Sequence, residues 1–250
     1  MKNFLSLLLA AALLLSVPMV PAYAELTEAA DNAAIEPTPT AEPTPTVEPT
    51  PTAEPTARPD GPMYTITYKD VEFNVVNTAV DPVTFSQLTY HQICQTPNET
   101  AENEYPGKCL NFSYYYVYCM VNGITEPDIA AGASGKSGSL SFKKELFSSP
   151  EKMMPRLYDL LSAGQPQILM VEAITHKGSR HFLTVVGYRA SVTSRKQLKA
   201  EDLLLLDTFD GRLQSMDPAI DPVDTRVLFK QDGMYRIQSY SGAKGKSKKK

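Results

Sequence analysis

Residues Gln165–Asp207 read QPQILMVEAI, THKGSR, HFLTVVGY, RASVTSRKQLKAED, LLLLD. Three apolar runs rich in Ile, Leu and Val alternate with polar breaks, and this spacing predicts strands at Ile168–Ile174, His181–Tyr188 and Leu203–Asp207. A histidine opens the second run and an aspartate closes the third, a layout that can place an imidazole beside a carboxylate. A catalytic reading then needs a nucleophile, and Cys109 is the candidate.

Upstream, Cys109–Asn122 (CLNFSYYYVYCMVN) is followed by Gly123 and preceded by Pro106-Gly107. Its length and closing glycine predict a helix despite the aromatic content. Leu110, Tyr114, Val117 and Val121 fall on one stripe, Phe112, Tyr116 and Cys119 on another, so the helix is central to the core. Cys109 is at its N-terminus, where the helix dipole and unpaired N–H groups favour a thiolate. Gln95–Lys108 is polar and rich in turn formers, and Ala131–Leu140 reads as a flexible loop. Ser148 and Glu151 have capping-box spacing ahead of a helix over Met153–Ser162, with Leu157, Leu160 and Leu161 inward. Before all this, Tyr64–Tyr68 and Val71–Val76 alternate around Lys69-Asp70 as a hairpin. Phe85–Ile93 reads equally as a strand or a helical turn. After it, Arg226–Phe229 and Met234–Gln238 supply two more short strands, with the insert Ser191–Asp202 a loop containing a helical turn. The fold class expected is α+β, with N-terminal helices packed on an antiparallel β-sheet.

The ends have a different character. Met1–Ala24 carries Lys2, an apolar core and a small-x-small end at Ala22-Tyr23-Ala24, the pattern of a signal peptide, so the chain is expected to be secreted. Residues 25–62 repeat PTPTAE and PTPTVE, and their prolines favour extended geometry in a disordered spacer or surface stalk. The expected domain spans 63–240, followed by a disordered tail with Lys244, Lys246, Lys248, Lys249 and Lys250. That tail suits association with a cell wall or another anionic surface. Formal net charge is −4 even with those lysines, and there is no tryptophan. With no basic-aromatic stripe either, nucleic acid is not an expected partner. Three histidines without paired ligand spacing predict no metal site and no cofactor, and the chain is expected to be a monomer.

Cys109-Leu110-Asn111-Phe112-Ser113, Gly164-Gln165-Pro166, His181-Phe182-Leu183-Thr184-Val185-Val186-Gly187-Tyr188 and Leu203–Asp207 together resemble the papain-like cysteine peptidases. The similarity is to their bacteriocin-processing-peptidase-like branch and spans about 92–217. The resemblance implies a papain-like fold and thiol-dependent hydrolysis of peptide or related amide bonds in a peptide or protein substrate. It makes Cys109 the nucleophile, His181 the base and then the acid, and Asp207 the orienting residue. In two places the sequence departs from the family pattern. Leu110 replaces the glycine after the cysteine, and Asn103 stands where a glutamine donor belongs, with Gln95 and Gln92 farther upstream. These three, with the backbone N–H of Cys109, are the oxyanion candidates.

Other readings stay open at this level. Cys109 can pair with Cys94 or Cys119 as a disulfide of a secreted protein. Asp210 competes with Asp207 as orienting residue, Asp207 then capping a turn. A catalytically reduced domain on its stalk would serve as a surface-displayed binding or adhesion module.

Overall fold

The computed structural model describes residues 60–89, 107–174, 178–208, 211–223 and 225–241. The expected signal peptide, nearly all of the Pro/Thr-rich spacer and all but the first residue of the lysine-rich tail lie outside them. So do Gln92, Cys94, Gln95, Asn103 and Asp210. No helix among the described residues is long and apolar enough to cross a membrane.

The domain is α+β. A hairpin of β1 (Met63–Tyr68) and β2 (Val71–Val76) turns through Lys69 and Asp70. Both have positive φ, 46° and 63°, which matches the right-handed twist of the flanking strands. Four helices follow: α1 (Pro82–Thr89), α2 (Cys109–Asn122), α3 (Ile129–Ser134) and, after strand β3 (Ser141–Phe147), α4 (Pro150–Ser162). The remaining strands are β4 (Gln167–Ala173), β5 (Arg180–Arg189), β6 (Leu203–Leu206), β7 (Leu213–Ser215), β8 (Arg226–Leu228) and β9 (Tyr235–Ser241). They form one nine-stranded sheet along the path β1-β2-β5-β4-β9-β3, with β6 and β8 attached to β5 and β4 and β7 to β6. Every pairing is antiparallel.

Strand β5 organises this sheet. β4 takes one of its edges along 180–185, and β2 continues that edge at 187–189. β6 takes the opposite edge between Tyr188 and Thr184, with a register shift between Val185 and Gly187. Gly187 lets three strands meet here, because a Cβ would collide with the Asn74 carbonyl and the Val75 side chain.

Helix α2 has the expected bounds and packs on two sides. Phe112, Tyr116 and Cys119 enter the main core with Phe73, Leu157 and Leu183. Leu110, Tyr114, Val117 and Val121 join a second cluster with Ile168, Met170 and Phe182. Alternation along β4 explains the division, since Leu169 and Val171 belong to the main core while Ile168 and Met170 face the second cluster.

Locally the structure corrects some expectations, decides others and adds elements the sequence left unread. The segment 131–140 is not all loop: Asp128 accepts from the N–H groups of Ala130 and Ala131 and starts α3. Ser141–Phe147 forms a strand held by seven residue pairs with β9. Helix α4 begins earlier, after Ser149, and no side chain caps it in the manner expected of Ser148. Phe85 lies in helix α1, whose Thr84 N–H donates to the Asp81 carboxylate. Between β8 and β9 the chain turns where Gln231 and Met234 exchange two backbone hydrogen bonds; β8 lies on β4, and β9 bridges β4 and β3.

Candidate active site

The approach of the α2 N-terminus to β5 follows from where β6 stops. In the β5–β6 register Thr184 faces Leu206, so Phe182 would face Thr208, but β6 has ended. The backbone edge of Phe182 is therefore open, and side chains fill it. The Thr208 hydroxyl donates to the Phe182 carbonyl at 2.8 Å, and the Ser113 hydroxyl lies 3.1 Å from it. Ser113 also lies 3.0 Å from the carbonyl of Cys109, one turn back on the helix. A single carbonyl thus ties together the neighbour of His181, the neighbour of Asp207 and the turn that begins with Cys109.

The side chains of Cys109, His181 and Asp207 converge there. His181 Nε2 lies 3.3 Å from Asp207 Oδ1. The same imidazole interacts with the Cys109 thiol and favours its thiolate. Lys108 precedes the helix without a side-chain cap, which leaves first-turn N–H groups to other acceptors. Burial pushes the Cys109 thiol up, but hydrogen bonding and charge from His181, with backbone N–H groups of Phe182 and Leu110, bring it below its ordinary 9.0. Burial alone would lower His181; the bond to Asp207 and then that to Cys109 raise it from 6.5 to about 9. These opposite shifts favour a thiolate–imidazolium pair.

The sequence did not point to Arg226. Its Nη2 donates to Asp207 Oδ2 at 3.0 Å, with side-chain exposures of 13% and 1% for the two residues. One carboxylate oxygen therefore faces His181 and the other Arg226, so the buried charge of Asp207 is compensated. Arg226 comes from β8, which pairs with β4 on the far side from β6, and no spacing in the sequence connects it to Asp207. Ser113 carried a fainter signal, because a residue four after Cys109 shares its helix face.

Cys109 and Cys119 are free thiols, so a disulfide between them is not formed. Cys119 is fully buried and pushed up to about 11 by burial. The oxyanion candidates Gln92, Gln95 and Asn103 lie outside the described residues. Among those residues no cluster of three or more His, Cys, Asp or Glu side chains suits a metal ion. Compared with protein-family models, curated proteins and solved structures, the chain matches none.

Proposed function

We propose that this is a secreted, surface-associated cysteine peptidase of the papain-like kind, hydrolysing peptide or related amide bonds. The observation that carries the reading is the His181 imidazole held by Asp207 and acting on a thiol at a helix N-terminus, which it pulls toward the thiolate. The Cys109 thiolate adds to the scissile carbonyl, forming a C–S bond and an oxyanion. The backbone N–H of Cys109 and an amide from Asn103, Gln95 or Gln92 are its donors in this reading. The His181 imidazolium gives its proton to the leaving amine as the C–N bond breaks, leaving a thioester. Water, deprotonated by the now neutral imidazole, releases the carboxylic acid and restores the thiol. Asp207 holds the ring beside the sulfur in both half-reactions, and Arg226 holds Asp207.

A second reading is a catalytically reduced domain that displays a binding surface. Leu110 and Asn103 at the family's glycine and glutamine positions favour it. Incubating the full chain with a proteome-derived peptide mixture and mapping new termini by mass spectrometry separates the two. Cleavage that disappears in Cys109→Ala supports the peptidase; a wild-type chain that cleaves no more than Cys109→Ala refutes it.

A further inference from the structure

In an antiparallel strand the N–H and C=O of one residue point to the same side, so both backbone groups of Phe182 look out over the edge that β6 vacates after Leu206. The first turn of α2 fills that place. The Phe182 N–H favours the Cys109 thiolate, and the Phe182 carbonyl lies 3.1 Å from the Ser113 hydroxyl. Cys109 and Ser113 are four residues apart, on one face of the helix, so one residue of β5 meets this face through both its backbone groups. Ser113 is fully buried, and its Oγ also lies 3.0 Å from the Cys109 carbonyl. A serine hydroxyl has one proton for these two acceptors. The approach to the Cys109 carbonyl is imposed by the helix itself, in which a serine commonly meets the carbonyl four residues back. No local geometry imposes the approach to Phe182, 69 residues away in sequence. Without a proton between them, two acceptor oxygens would face each other there at 3.1 Å. The proton therefore belongs on the Phe182 carbonyl beside that of Thr208, and the two lone pairs of a carbonyl take both.

Building on the peptidase reading above, we infer that Ser113 is a positioning residue of the reaction: by donating to the Phe182 carbonyl it holds the first turn of α2 on β5, which keeps the Cys109 sulfur at the Phe182 N–H and beside the His181 ring. Fully buried, Ser113 touches neither substrate nor the attacked carbonyl. It acts through the placement of the nucleophile, and that placement decides how readily the thiol ionises.

The pH dependence of Cys109 alkylation by neutral iodoacetamide, measured on the full chain and resolved by mass spectrometry, tests this without knowledge of the natural substrate. Ser113→Ala should label Cys109 about tenfold more slowly than wild type at about pH 6, the scale of one lost hydrogen bond. It should match wild type at about pH 10, where an ordinary thiol is also ionised. Cys119→Ala, which also removes a buried group from α2, is the control for lost packing and should leave the profile unchanged. Ser113→Thr and Ser113→Val are alike in shape and differ in the hydroxyl, so they repeat the comparison and replace the alanine variant should it not fold. Threonine should keep the wild-type rate at about pH 6 and valine should lose it. A profile indifferent to the hydroxyl, or one slowed by the same factor at every pH, overturns the inference and leaves the peptidase reading intact. Wild-type Cys109 reacting at about pH 6 no faster than a free cysteine peptide overturns both.

Discussion

Cys109 and Cys119 lie on the same helix and are both withdrawn from water, yet their thiols shift in opposite directions. Burial pushes both up. At Cys119 it prevails, and the thiol reaches about 11 although Tyr115 and Lys136 favour the thiolate. At Cys109 the imidazole of His181 and two backbone N–H groups reverse it. Thiol activation here is therefore a property of place: the end of a helix set against a strand edge that β6 leaves uncovered. Ten residues on, the same side chain is plain core, packed with Phe112 and Tyr116.

The sharpest way to break this contrast is to exchange the losses. Cys109→Ala should lower peptide turnover by about 10⁴-fold or more, as for removal of a nucleophile acting in a coupled unit, while Cys119→Ala should leave kcat/KM within about twofold. Comparable losses from both would show that the activity does not reside at Cys109.

Asp207→Asn tests the support behind the imidazole. His181 is raised by its bond to Asp207, so the upper limb of the pH–rate profile should lie near pH 9 in the wild type and move toward 6.5 in the variant. The sign carries over to stability. A histidine whose folded pKa is raised contributes stability fully present below pH 6.5 and lost as pH rises through about 9. The stability gap between wild type and Asp207→Asn, followed by denaturant unfolding, should therefore narrow across that interval. An unmoved limb would remove Asp207 from the site.

Arg226→Gln should cost about 3–5 kcal/mol in urea unfolding, because it removes the cation bonded to the buried Asp207 carboxylate. It should not lower the upper pH limb as Asp207→Asn does, since the carboxylate beside His181 stays. The smallest effect is at the quiet thiol: Cys119→Ala should cost about 1–2 kcal/mol, the loss of a small buried apolar group.

Local pattern made much of the frame legible. The α2 bounds, its two packing stripes, the hairpin turn at Lys69-Asp70 and the order of β4, β5 and β6 follow from periodicity and turn residues. His181 and Asp207 stood out for the same reason, each at the end of a clear apolar run. What escaped depends on distant partners. Ser141–Phe147 includes Lys143, Lys144 and Glu145 and alternates only weakly in burial; it is a strand because β9, almost a hundred residues on, pairs with it. Arg226 carries no local mark of its role, which comes from β8 docking on β4. The bond from Thr208 to the Phe182 carbonyl exists because β6 stops at Leu206, an event in the sheet that no window of sequence contains.

The most direct test of the account is the rate at which each cysteine reacts with neutral iodoacetamide as pH is varied, resolved by mass spectrometry and repeated in His181→Ala. An ordinary thiol is almost wholly protonated at about pH 6. Cys109 should still react there, at least about tenfold faster than a free cysteine peptide, lose that advantage in His181→Ala, and leave Cys119 unlabelled throughout. Cys109 reacting at pH 6 no faster than the free peptide, or equally fast with and without His181, would contradict the account.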